Sequence, residues 1–233
     1  MATPTPIRGI SSMATRALLA ELSAAYAALS GGAVVGFESV GGVDAAQRVA
    51  AGEVFDVVVL ASDAIDKLIV AGAASGSRVD LVRSPVALAV PAGAARPDIG
   101  DEAAVRAAVL AAKTIGCSTG PSGTFLMKLF ERWGIADEVR ARTVQAPAGV
   151  PVGSLVARGE VALGFQQYSE LKDLPGIDVL GLLPPAIANI TIFSGAVCRA
   201  AAQPEAAASL LGYLASADTA AIKRRHGMED TRT

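Results

Sequence analysis

The run Val57-Val58-Val59-Leu60-Ala61 constrains this chain more than any other segment. Five apolar residues in a row cannot alternate between a core face and a wet face. Such a run reads as a strand buried on both sides, as strands are in a parallel sheet with helices over each face. The flanks agree. Residues 7–11 are β-compatible, and Ser11 and Ser12 can cap the helix that follows, in which Leu18, Leu22, Ala25 and Leu29 recur at helical spacing. Ser30-Gly31-Gly32 stops that helix. Residues 34–37 form a second predicted strand. A Gly41-Gly42 turn then leads into a helix over 43–51, ended by Gly52. Ser62 is expected to cap a further helix with Ile65, Leu68 and Ile69 turned inward.

Beyond Gly72 the rhythm changes. Residues 79–90 read as extended, broken at Ser84-Pro85. Helices are predicted over 101–112, 124–133, 152–158, 204–215 and 218–225, and strands over 114–117, around Val144, and over 161–166, 177–183 and 190–197. Strands alternating with helices argue for an α/β fold whose mostly parallel sheets are flanked by helices. There are about twice as many such units as one small sheet needs. The stretches near Ser84 and Ile192 are the plausible crossovers between two lobes. Lobe one is expected to hold residues 1–84 plus 191–233, and lobe two residues 85–190.

Composition excludes several function classes. Apolar residues make up 52% and charged residues 18%, so the chain is not disordered. A net charge of −2 gives no basic face for nucleic acid. The one histidine, His226, rules out a histidine-rich metal site and argues against a Ser-His-acid triad; no metal and no cofactor are expected. Cys117 and Cys198 are too few for a disulfide framework and read as buried strand residues, Cys117 with a reactive thiol left open by its place beside Ser118. No apolar segment reaches the roughly 18 residues of a membrane span. The start, Met-Ala-Thr-Pro-Thr-Pro, lacks the pattern of a secretory leader. The chain as it stands is expected to be soluble and cytoplasmic. If a leader has been removed, it would be periplasmic, with an ABC importer as partner.

Three segments share one chemical design. Ser11-Ser12, the stretch from Ser39 through Gly41 and Gly42 to Val43, and the stretch Thr119-Gly120-Pro121-Ser122-Gly123-Thr124 each follow a strand and open a helix. Small residues there let an anion approach the free N–H groups and the positive end of the helix dipole, and the hydroxyls add donors. Ordinary helix capping is the alternative reading of each segment alone. None is a nucleotide fingerprint: no Lys-Ser/Thr closes the loop near Gly123, and no third glycine follows Gly42. A fourth segment, Gly164-Phe165-Gln166-Gln167-Tyr168-Ser169-Glu170, ends a strand and opens a helix. Its two adjacent amides can each donate and accept, which suits a mixed or partly protonated ligand; a polar cap at the sheet edge is the alternative. Glu38, beside Ser39, is a base only if a cleft removes it from water. The run Lys223-Arg224-Arg225-His226 reads as a solvated helix end, and Phe130 and Trp133 as core.

The order of these motifs resembles the periplasmic molybdate-binding protein family. Ile10-Ser11-Ser12-Met13 with its helix, then residues 37–42, then 52–62, look like that family's first lobe. Ser118-Thr119-Gly120-Pro121-Ser122-Gly123 resembles its second-lobe anion loop. Leu155-Val156-Ala157-Arg158-Gly159-Glu160-Val161-Ala162-Leu163-Gly164 closely resembles its helix-to-strand segment. The resemblance spans about residues 7–225 and implies the type II periplasmic-binding-protein fold, with a small anion held between two lobes. It implies ligand contacts from Ser11, Ser12, Ser39, Gly41, Gly42, Ser118, Thr119, Ser122, Gly123, Thr124, Gln166 and Gln167. Ser12 matches the family's first serine by position. The second serine falls on Gly41 or Gly42, and the family's late-strand tyrosine falls on Gln167. The donors are thus altered in a way that favours a small carboxylate. Gln166-Gln167 and the loop at 119–123 also look like the aconitate isomerase branch. Two functions follow as expectations: a binding protein for a small oxyanion or carboxylate, or a cofactor-free isomerase that shifts a proton along a carboxylate-bearing alkene.

Overall fold

The computed structural model describes residues 5–147 and 149–232. The first four residues of the amino-terminal motif read above lie outside them. The chain divides into two units, Met1–Arg83 with Ile192–Thr233, and Ser84–Thr191.

In the first unit the early part of the chain alternates strand and helix: β1 (Ile7–Ser12), α1 (Arg16–Leu29), β2 (Val35–Val40), α2 (Gly42–Ala50), β3 (Val57–Ala61) and α3 (Ser62–Val70). β1 pairs in parallel with β2 and with β3, which places Ser11 opposite Ser39 on one side and Val59 on the other. All five residues of β3 are buried, and their alternation explains the unbroken apolar run. Val57 and Val59 pack with Leu18, Leu22 and Leu211 on one face. Val58 and Leu60 pack with Ile10, Ala45 and Ile65 on the other.

The next strand, β4 (Ala74–Pro91), leaves the first unit and enters the second. The expected break at Ser84-Pro85 does not occur. Residues 82–83 pair with a late strand of the first unit, residues 86–91 with two strands of the second, and Pro85 sits where the partners change. A residue without an N–H fits a strand only where the ladder asks for no donor, and this is such a place.

The second unit continues with α4 (Glu102–Ala111), β5 (Ile115–Cys117), α5 (Pro121–Arg132), α6 (Ala136–Arg140), β6 (Thr143–Gln145), α7 (Val152–Ala157), β7 (Leu163–Gln167), α8 (Tyr168–Leu171) and β8 (Ile177–Leu182). β5 runs parallel to β6 and β7, while β7 and β8 flank β4 in antiparallel fashion. Val86, Leu88 and Val90 face a core with Val105, Leu126 and Phe130; Ala87 and Ala89 face Leu171. Asp101 caps α4, accepting from Ala104 N at 2.8 Å. α5 begins three residues before the expected Thr124, because Pro121 takes the first helical position, where its missing N–H costs nothing.

The chain returns to the first unit through β9 (Ile190–Cys198), then α9 (Pro204–Leu214), α10 (Ala220–Arg225) and β10 (Glu229–Asp230). β9 runs antiparallel to β3, with Val57 opposite Val197, and β10 pairs with β4. The basic run on α10 is not wholly a solvated end. Lys223 is fully buried and paired with Asp230 at 3.1 Å, because β10 folds back over it.

Candidate functional site

The first unit gathers its small polar residues where parallel strands end. The β1–β2 register sets Ser11 beside Ser39, and their hydroxyls lie 2.8 Å apart. Neither Ser11 nor Ser12 caps a helix with its side chain. Ser11 is spent on Ser39, and the Ser12 carbonyl accepts from Thr15 Oγ1 at 3.0 Å in the 3-10 turn that precedes α1. Gly41 takes the N-cap position of α2 with extended backbone, and Gly42 is its first residue. The first-turn amides of α2 have no intrahelical acceptor, so the strand end presents N–H groups rather than side chains. Ser62, expected as a cap, is the first residue of α3; Ala61 holds the N-cap position. Ser39 also lines an open groove of about 590 Å³ between α1 and β2, with Arg16, Ser23 and Phe37.

Glu38 is unsuited to act as a base. Arg48 reaches it with two hydrogen bonds, 2.5 and 3.0 Å, and also binds Glu53. Those hydrogen bonds hold the Glu38 carboxyl below the usual carboxylate range, and its side chain is half-exposed.

The second unit repeats the design. Ser118 follows β5, and its hydroxyl accepts from Gly120 N at 3.1 Å and lies 3.0 Å from the Ser122 hydroxyl. Thr124 Oγ1 donates to Gly120 O at 3.3 Å, while Thr119 is exposed. Gly123 is required: a Cβ there would stand 1.8 Å from the Ser118 carbonyl oxygen. The loop therefore folds tightly onto the start of α5. Cys117, just before it, is buried, and burial pushes its thiol above the ordinary range, away from reactivity. Cys198 behaves likewise, pushed up to about 12 by burial and by Asp56.

β7 ends on the same edge. Gly116 of β5 is in register with Gly164 of β7, so the residues that follow, Ser118 and Gln166, come level at the strand ends. Both glutamines are buried and fully engaged. Gln166 Oε1 accepts from Gly153 N at the start of α7 (3.1 Å), and its Nε2 donates to Glu170 Oε1 (2.8 Å). One orientation of the Gln167 amide satisfies every polar atom. In it, Oε1 accepts from Thr191 Oγ1 (2.8 Å) and Nε2 donates to Ser84 O and Oγ (both 3.0 Å).

Glu170 is the residue the sequence left without a role. The residue is only partly buried, but desolvation of its carboxyl pushes that group up to about 7, and only the Gln166 hydrogen bond opposes the rise. A strand-end amide four residues before an acid was the available signal; the loss of water around that acid was not visible in sequence. Among the described residues, no group of three or more His, Cys, Asp or Glu side chains could hold a metal ion, and no helix is long and apolar enough to cross a membrane. His226, at the carboxyl end of α10, bonds Glu21 of α1 at 2.7 Å.

Comparison with known proteins adds four findings. The model of the family described as bacterial extracellular solute-binding protein matches residues 7–229. An aconitate isomerase from a Pseudomonas species is 43% identical over 184 residues, covering 78% of this chain and 70% of that protein. The periplasmic molybdate-binding protein of Azotobacter vinelandii superposes with a TM-score of 0.80 at 20% identity, over 95% of this chain and 98% of its own. The sulfate-binding protein of Mycobacterium tuberculosis does so with a TM-score of 0.77 at 14% identity, over 97% and 87%. At these identities the structural likeness is one of fold.

Proposed function

Because this chain belongs to the bacterial extracellular solute-binding protein family, we propose that it binds a small unsaturated polycarboxylate and interconverts its isomers by moving one proton. The observation that carries this reading is the 43% identity to an aconitate isomerase over 78% of the chain. The donors described above support it. Each unit offers hydroxyls and main-chain amides: Ser12, Ser39, Gly41 and Gly42 in the first, Ser118, Thr119, Ser122, Gly123 and Thr124 in the second. Uncharged donors of this kind bind carboxylates without a fixed counter-charge.

The chemistry balances without a cofactor. A methylene between a carboxylate-bearing alkene and another carboxylate is acidified by both. Its C–H bond breaks, the electron pair spreads across the three-carbon system, and a C–H bond forms at the far carbon while the double bond shifts. One proton leaves and one returns. The family's description as extracellular supports a mature protein in the periplasm rather than the cytoplasm, with an importer as a further partner only if binding occurs without turnover.

The test is incubation with trans-aconitate in D₂O, followed by ultraviolet absorbance and proton NMR. We expect isomerisation with deuterium appearing on carbon. Ser12→Ala and Ser122→Ala should each weaken aconitate binding by about 1–3 kcal/mol, the cost of losing a hydrogen bond to a charged group. Binding of aconitate, molybdate or sulfate with no isomerisation would replace the enzyme by a plain binding protein.

A further inference from the structure

We infer that Glu170 carries the proton in this isomerisation and that Gln166 positions it for the task. The inference rests on the isomerase reading above and names the residue that reading lacks. Glu38 is tied to Arg48, and the Cys117 thiol is buried and unactivated. The hydroxyls of Ser118 and Ser122 are bonded to each other. Glu170 differs from all of these in placement and partners. It lies on α8, directly after β7, at the strand-end edge where the Ser118–Ser122 loop also sits.

Its orientation is set from two sides. Gly153 N donates to Gln166 Oε1, which fixes that amide so that its Nε2 must point at Glu170. A carboxyl held by one amide donor keeps a second oxygen for a proton. Among the described residues, no cation offsets it. On its own segment Lys172 is paired with Asp173 at 2.5 Å. On β8, Asp178 accepts from Gly93 N at 2.9 Å. β7 presents only the two glutamines, and past the end of α7 Arg158 is paired with Glu160. Left alone by these charges, the carboxyl titrates at about 7, where one group can both take a proton and give it back.

The step is closed. The Glu170 carboxylate takes the methylene proton, forming O–H as C–H breaks. The resulting acid exchanges its O–H proton with solvent, delivers a proton to the far carbon as the double bond shifts, and is again a carboxylate.

The experiment compares wild type, Glu170→Gln, Glu170→Asp and Gln166→Leu with trans-aconitate as probe, reading kcat, its pH profile, solvent deuterium uptake and the Kd by calorimetry. Glu170→Gln should lower kcat by about 10²–10⁴-fold, the usual worth of a general acid–base group, with Kd changed less than about threefold. Gln166→Leu removes the one hydrogen bond that lowers the carboxyl's pKa, so the acidic limb of kcat should move to higher pH. Glu170→Gln retaining more than about a tenth of wild-type kcat overturns the inference and leaves the isomerase reading standing. A limb unmoved in Gln166→Leu also overturns it. Should Glu170→Gln fail to fold, Glu170→Asp decides: unchanged kcat and an unchanged pH profile reject the role. Wild type that takes up no deuterium and isomerises nothing refutes the functional reading, and this inference with it.

Discussion

Replacing Glu170 by glutamine should stabilise the protein, and the gain should appear only as pH rises. Glutamine keeps the shape and the oxygen that accepts from Gln166 Nε2, and discards the charge. The folded carboxyl titrates at about 7 against an ordinary 4.5. Below pH 4.5 it is protonated in both folded and unfolded chains, and stability owes it nothing. Between 4.5 and 7 the unfolded chain releases the proton while the folded one keeps it, so stability falls as pH rises. Above 7 the folded state carries a partly desolvated charge, and the loss is complete. At about 1.4 kcal/mol per pH unit, the interval from 4.5 to 7 amounts to about 3 kcal/mol. The assay is urea unfolding followed by fluorescence of Trp133. It is the only tryptophan of the chain, lies in the same unit as Glu170, and therefore reports that unit. The difference in unfolding free energy between Glu170→Gln and wild type should grow by about 3 kcal/mol from pH 4.5 to pH 8. Two curves that stay parallel across that range would refute the claim that this carboxyl is desolvated with no counter-charge beside it among the described residues.

Two further substitutions probe the scaffold. Gly123→Ala places a methyl against the Ser118 main-chain carbonyl, which cannot swing aside as a side chain would, and should cost about 1–3 kcal/mol and abolish ligand-induced thermal stabilisation, read by melting with and without aconitate. Asp56, 3% exposed, accepts from Arg8 N at 2.8 Å and Gln203 N at 2.9 Å; Asp56→Ala strands those amides and should lower stability by about 2–4 kcal/mol in chemical denaturation, with Trp133 reporting little of it.

Local pattern carried much of the architecture. The β3 run and the strand before Ser118 were both legible, because apolar period and turn chemistry act over a few residues. The departures have tertiary causes. Ser11 abandons capping because β2 brings Ser39 alongside it. β4 runs on through Pro85 because its partners change there. Lys223 is buried because a strand at the chain's end returns with Asp230. The candidate site divides in the same way. Serines and glycines at strand ends can be counted in sequence. Desolvation of the carboxyl turns Glu170 from an ordinary acid into a group titrating near neutrality, against the opposing hydrogen bond of Gln166, which Gly153 holds in place.

The strand β9 imposes an order on synthesis. Its residues 192–198 complete the sheet beside β3, yet they leave the ribosome only after the whole of the second unit. Until they arrive, Val57 lacks Val197 and Asp56 lacks the amide of Gln203. One side of the most apolar strand in the chain is then an open edge, the kind of surface on which unrelated chains pair. The second unit is continuous in sequence and can close meanwhile, as domains emerging from the ribosome do. The part of the protein made first is thus the part finished last, and the hazard of aggregation falls on the nascent chain at β3 rather than on the finished molecule.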